Sequence, residues 1–154
     1  GAAGKMIYGQ ISEAIFILAI PLLYYRLGVK KILMIGIAAW LLRFFFFANG
    51  DMESSYWMIM SGIILHGICY DFFFVTGYMY TENKANEKIK NAAQGLFTVA
   101  TYGIGMTIGS WFSGLITDSY TIEGLKNWTD IWMVPAYISG GVLLFLIIFF
   151  KEKK

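Results

Sequence analysis

The sequence holds one cysteine, Cys69, and one histidine, His66, so it has no disulfide framework and none of the Cys/His spacings that build zinc sites. No metal and no cofactor is expected. Charge is scarce as well: 14% of residues are charged, against about 25% in an average soluble domain. The net charge of +2 is too small to hold a polyanion, and the basic residues fall in short clusters between apolar stretches, which excludes a nucleic-acid binder. What the chain has in abundance is apolar surface. Of its 154 residues 58% are hydrophobic and 18% aromatic, more than a compact soluble core of this size can hide. The composition predicts an all-α, polytopic membrane helical bundle set in a lipid bilayer.

A helix that crosses the bilayer needs about 20 mostly apolar residues. Five segments are expected to do so: 6–25, 31–49, 55–80, 91–117 and 128–150. Gly28, Asn49-Gly50-Asp51, Asn83, Asn86 and Gly124 supply turn chemistry between them. Lys and Arg outside these spans are unevenly shared. Arg26, Lys30 and Lys31, then Lys84, Lys88 and Lys90, then Lys151, Lys153 and Lys154 fall on one side; only Lys5 and Lys126 fall on the other, among Asp51, Glu53, Asp118, Glu123 and Asp130. The excess of positive charge in cytoplasmic loops puts the first and third loops and the C-terminus in the cytoplasm. The chain opens Gly1-Ala2-Ala3-Gly4, without an initiator Met or signal peptide, and reads as the C-terminal part of something longer.

Most apolar residues, Phe44 to Phe47 and Phe72 to Phe74 included, read as lipid-facing or packing surface. The informative residues are ionisable ones inside spans: Glu13, Arg43, His66 and Asp71. Each would cost about 2.5–3.5 kcal/mol or more facing lipid at mid-membrane, so each should face protein, a wet cavity or the interface. Gln10 and Glu13, three residues apart, share a helical face, about 10 Å below Met6 for the carboxyl. Such a carboxyl suits proton coupling or serves as a structural hydrogen-bond partner. His66 and Tyr70 share a face at i,i+4, and Asp71 follows at about 100° around the helix. Together they offer an aromatic platform with polar neighbours for a flat, heteroatom-rich solute, unless His66 merely bridges helices. Arg43 either pairs with Glu13 or snorkels to the headgroups, the preferred reading being the second.

The fourth span carries Gly95, Gly103, Gly105, Gly109 and Gly114. No strand precedes Gly103-x-Gly105, which removes a nucleotide-loop reading; Gly105-x-x-x-Gly109 is expected to let helices approach closely. Pro21 and Pro135 are expected kinks.

The turn Arg26-Leu27-Gly28-Val29-Lys30-Lys31 resembles the cytoplasmic loop signature of the major facilitator superfamily. The set Gln10-Ile11-Ser12-Glu13, Ala39-Trp40-Leu41-Leu42-Arg43-Phe44, Asn49-Gly50-Asp51, His66-Gly67-Ile68-Cys69-Tyr70-Asp71-Phe72-Phe73 and Ala93-Gln94-Gly95-Leu96-Phe97 resembles its nucleoside:proton symporter branch. The resemblance implies the C-terminal half of a fold of two six-helix halves, with the N-terminal half absent from residues 1–154. It further implies a bacterial inner-membrane importer of nucleosides with protons, working by alternating access. It assigns substrate binding to Gln10, Glu13, His66, Tyr70 and Asp71, and proton coupling to Glu13 and Asp71. His66 stands where the family pattern has Tyr. A sugar or other small-metabolite symporter of the same superfamily and a non-transporting nucleoside sensor are the alternatives. An enzyme is not expected: no activated nucleophile is evident, and Glu13, His66 and Asp71 read as lying at different depths.

Overall fold

A computed structural model describes residues 2–151 as five long helices and one small hairpin. Gly1, Lys153 and Lys154 lie outside the described residues. Helix α1 is Ala2–Leu27 and α2 is Val29–Asn49. Between them stands Gly28 with φ 78°, a left-handed conformation open to glycine at little cost, which lets the chain reverse in one residue. Helix α3 is Tyr56–Lys84 and is π-helical over Asp71–Val75. Helix α4 covers 90–119 and is π-helical over Val99–Gly105. Helix α5 is Trp128–Phe149. All five expected spans are therefore helices, longer than expected by a few residues at several ends.

Four of the helices are long and apolar enough to cross a membrane: α2, α3, α5 and Gly4–Leu27 of α1. The fourth span departs from expectation in composition, since its Gly, Ser and Thr residues dilute an otherwise sufficient length. Prolines 21 and 135 lie inside continuous helices, where each deprives one carbonyl of its helical donor.

The loops are short and internally bonded. Asp51 accepts the Ser54 hydroxyl at 2.6 Å and the backbone N–H groups of Glu53, Ser54 and Ser55. The Ser54 hydroxyl, then those amides, hold this exposed carboxyl below its usual range. Lys90 reaches Glu82 at 3.0 Å and Glu87 at 3.8 Å across the α3–α4 turn, and Glu82 raises its pKa. Between α4 and α5, strands β1 (Thr121–Ile122) and β2 (Leu125–Lys126) pair antiparallel around Glu123 and Gly124, both at positive φ as a two-residue hairpin turn demands.

Helix α2 is central, packed on α3 and α5, while α1 packs chiefly on α3. Glycines set the spacing. A methyl on Gly36 would stand 3.1 Å from Phe72 Cβ, and one on Gly9 would stand 3.1 Å from the Ile63 carbonyl oxygen. Gly67 lies directly on the Ser12–Glu13 backbone, and beside it the Ser12 hydroxyl donates to the Ile64 carbonyl at 2.5 Å. The α4 glycines do not act as expected. Nothing lies within 4 Å of the Cβ position of Gly95, Gly109 or Gly114, so Gly105-x-x-x-Gly109 makes no close helix contact here. Among the described residues, α4 touches the bundle mainly where 90–98 meets 76–84. The apolar core is Ile20, Ile32 and Phe72, surrounded by Phe16, Leu23, Tyr24, Leu27, Ile68, Val75 and Met79. It closes the bundle at the end of the α1–α2 turn.

This packing makes a prediction. Gly67→Ala puts a methyl 2.5 Å from the Glu13 nitrogen and should cost about 1–3 kcal/mol, seen as a lower midpoint of thermal unfolding in detergent. Gly109→Ala should leave the midpoint unchanged or slightly raised, because alanine is the better helix former. Equal losses in the two variants would contradict the α1–α3 contact.

Candidate functional site

Glu13 is carried by α1, where its backbone lies against Gly67 of α3. His66 lies about 15 Å into α3 from Tyr56. The two therefore meet, Glu13 Oε2 standing 3.8 Å from His66 Nε2, with about a third of each side chain exposed. The depth difference inferred for these two residues is corrected by this contact. On the other edge of the imidazole, Arg43 Nη1 lies 2.7 Å from His66 Nδ1. The preferred snorkelling of Arg43 is corrected too. Its guanidinium turns inward, donates also to Cys69 Sγ at 3.6 Å, and sits 5.5 Å from the Trp40 ring and 5.3 Å from the Phe47 ring. It reaches Glu13 only through His66.

A cavity of about 310 Å³ opens here, lined by Met6, Gly9, Arg43, Phe47, Ile63, His66 and Trp132. Trp132 is carried in from α5 by ring contacts with Phe44 and Phe47. A second cavity of about 280 Å³ lies toward the α3–α4 turn, lined by Tyr70, Phe74, Val75, Tyr78, Phe97, Thr98 and Tyr102. The His66 and Tyr70 rings, 5.6 Å apart, stand between the two. Phe74 continues the series at 4.9 Å from Tyr70 and 5.5 Å from Tyr102. The Tyr70 and Tyr102 hydroxyls are hydrogen-bonded, joining α3 to α4 between their π-helical stretches. A third cavity, of about 320 Å³ between α4 and α5, carries no ionisable side chain.

The five expected binding residues are therefore not gathered in one pocket. His66 lines the first cavity and Tyr70 the second. Glu13 touches His66 at the cavity edge, and Gln10 is exposed on the same face of α1. Asp71 lines neither. It is 0% exposed, between the α1 and α2 faces of α3, and both carboxylate oxygens lack a hydrogen-bond partner among the described residues; the hydroxyl of Thr76, also 0% exposed, lacks one as well. The rotation of about 100° that separates Asp71 from the Tyr70 face takes it into the helix interface. Sequence reading missed Phe74, Tyr102, Phe47 and Trp132. Phe74 was available as the next i+4 step after His66 and Tyr70; Tyr102 and Trp132 depend on which helices become neighbours.

Apolar crossing helices around an ionisable and aromatic step at mid-bundle define an all-α, multi-pass membrane protein. The chain belongs to the nucleoside H+ symporter family, whose profile matches residues 1–154. It is 35% identical to the putative nucleoside transporter YegT of Escherichia coli over 159 residues, covering 98% of this chain and 37% of that protein. It is 37% identical to the xanthosine permease of the same organism over 142 residues, covering 92% of this chain and 33% of that protein. A crystal structure of the nucleoside transporter NupG superimposes with a TM-score of 0.91 at 35% identity, over 99% of this chain and 38% of that one. The chain thus spans little more than a third of the length of the relatives it matches.

The α3–α4 aromatic link makes a second prediction. Tyr70→Phe and Tyr102→Phe each sever the same hydroxyl pair and should each cost about 0.5–1.5 kcal/mol of thermal stability. The double variant should lose no more than either alone, because the second change has no bond left to break. Additive losses would show that the two hydroxyls act separately.

Proposed function

We propose that the chain forms the C-terminal bundle of a proton-coupled nucleoside importer of the bacterial inner membrane, with its C-terminus in the cytoplasm. The observation that carries this reading is the juxtaposition of Glu13, His66 and Arg43 with an aromatic series from His66 to Tyr102, inside a chain of the nucleoside H+ symporter family. A nucleoside has a flat ring to stack and hydroxyls to hydrogen-bond, and these are the two kinds of contact offered. Gln10 and Glu13 bind the ribose or base, Tyr70 supplies a stacking surface, and His66 adds a polar edge. The two cavities on either side of the His66–Tyr70 step are the outward and inward approaches of an alternating-access cycle. A further part of the same protein, forming the N-terminal half, supplies the facing wall. A sugar symporter is less well supported, since the named relatives are nucleoside carriers.

Glu13 and Asp71 divide the proton work. Glu13 is half-buried and meets the solute; Asp71 is sealed between helices without a hydrogen-bond partner among the described residues, where an anion is costly, so its hydration and its protonation change together as the helices move.

The test is uptake of labelled uridine by the intact protein, with and without a proton gradient. Glu13→Gln and Glu13→Ala should both impair gradient-driven uptake, the second also weakening binding. Asp71→Asn should lower the transport rate more than it weakens binding. Wild-type uptake and pH dependence in both Glu13 variants at equal membrane abundance would overturn the Glu13 role; stronger competition by sugars than by nucleosides would overturn the substrate class.

A further inference from the structure

The contact of Arg43 with His66 determines where the imidazole carries its proton. A guanidinium has five N–H donors, no acceptor, and keeps its charge in proteins. At 2.7 Å from Arg43 Nη1, His66 Nδ1 must present its lone pair. The imidazole is then neutral, and its proton is on Nε2, the edge that faces Glu13. The opposite tautomer is disfavoured on both sides, because it would aim a donor at a donor near Arg43 and a lone pair at the Glu13 carboxylate.

We propose that Arg43 is a positioning residue that locks His66 in the Nε2–H tautomer, so that the site meets its solute with an N–H donor set beside the Glu13 acceptor. The 3.8 Å from Nε2 to Glu13 Oε2 is too long for a hydrogen bond between them, and with a neutral imidazole it is not an ion pair. It matches the space for one hydroxyl group at about 2.8 Å from each, accepting from Nε2–H and donating to the carboxylate. A sugar hydroxyl has that dual character.

The surroundings hold Arg43 to this task. Trp40 and Phe47 flank the guanidinium, and the Cys69 sulfur shares Nη1. The groups around the imidazole are Glu13 from α1, Arg43 from α2, Tyr70 one turn along α3, and the uncharged Trp132 from α5 on the cavity wall. A tyrosine hydroxyl can rotate its proton; an imidazole needs a neighbour to choose its tautomer. His66 differs in this from Tyr70, its neighbour on the same face of α3.

The solute part of this inference rests on the nucleoside reading; the tautomer part does not. The experiment is nitrogen-15 NMR of the intact protein in bilayers, labelled at histidine, with the His66 signals identified by their loss in His66→Gln. The wild type should show a neutral imidazole at pH 7 with its proton on Nε2. Arg43→Lys, whose ammonium is donor-only and reaches nearly as far, should keep that tautomer, whereas Arg43→Met should release a mixture of the two. In uridine uptake, Arg43→Met should raise KM on the order of tenfold with a smaller change in kcat, as for loss of a hydrogen bond to substrate; Arg43→Lys should restore most of it. An Nδ1–H or imidazolium His66 in the wild type overturns the proposal, and so does an unchanged tautomer in Arg43→Met. A displaced tautomer with unchanged KM overturns its link to the solute. A locked tautomer in a protein that takes up no nucleoside supports the role of Arg43 and overturns the substrate instead. The wild-type spectrum decides the tautomer even where Arg43→Met does not fold.

Discussion

The close approach of α3 to α1 at Gly67 is the constraint from which the polar centre follows. With no side chain on Gly67, the Ser12–Glu13 backbone comes into direct contact with α3, and the Ser12 hydroxyl bonds the Ile64 carbonyl across the seam. Small residues matter at such seams because helix association in lipid has little hydrophobic drive and depends on close packing and interhelical hydrogen bonds. One residue along α1 from Ser12, and one before Gly67 on α3, stand Glu13 and His66. Their meeting is a direct consequence of the glycine contact. From the far edge of His66 the series continues to Arg43 on α2, so three helices share one set of polar groups in place of three separate buried charges.

The same centre divides the molecule into unlike ends. Toward the α1–α2 turn, Ile20, Ile32 and Phe72 form a closed apolar core; toward the α2–α3 turn, the cavity beside Arg43 and His66 stays open. On the α4 side, contact is limited mainly to the segments near the α3–α4 turn and the aromatic link through Tyr70, Phe74 and Tyr102. Both helices are π-helical next to that link, and such wide turns occur often at functional sites. A helix attached at one end and at one aromatic step can change its angle without disturbing the core.

The residues that proved legible in the sequence are those whose role depends on their own helix. Hydrophobic length gave five helices, Gly28 and Gly124 marked real turns with positive φ, and the i,i+4 spacing of His66 and Tyr70 correctly placed two rings on one face. What stayed hidden depends on neighbours. Arg43 was equally compatible with an outward reach until the position of His66 was known, and Tyr102 looked like any aromatic in a membrane helix. Gly105-x-x-x-Gly109 has the familiar spacing yet makes no close helix contact among the described residues, while Gly67, Gly36 and Gly9 each face a backbone. Spacing reports what a helix can offer; only the partner face decides whether it is used.

Asp71 shows how a single helical step separates two environments. One position before it, Tyr70 lies open to a cavity; Asp71 itself is sealed, with two carboxylate oxygens that no described group satisfies. Buried polar groups are nearly always paired, and an unpaired carboxylate costs more than any nearby contact returns. Thr76, five residues on and equally buried, leaves a hydroxyl unsatisfied in the same stretch of α3. Asp71 on the π-helical stretch and Thr76 just after it, like Arg43 Nε on α2, are buried without a partner among the described residues, and each would gain from opening to water. That gain opposes the close packing at Gly36 and Gly67. The interface is thus balanced, with tight glycine contacts favouring closure and unsatisfied polar groups favouring release, which is what the proposed alternating-access cycle requires.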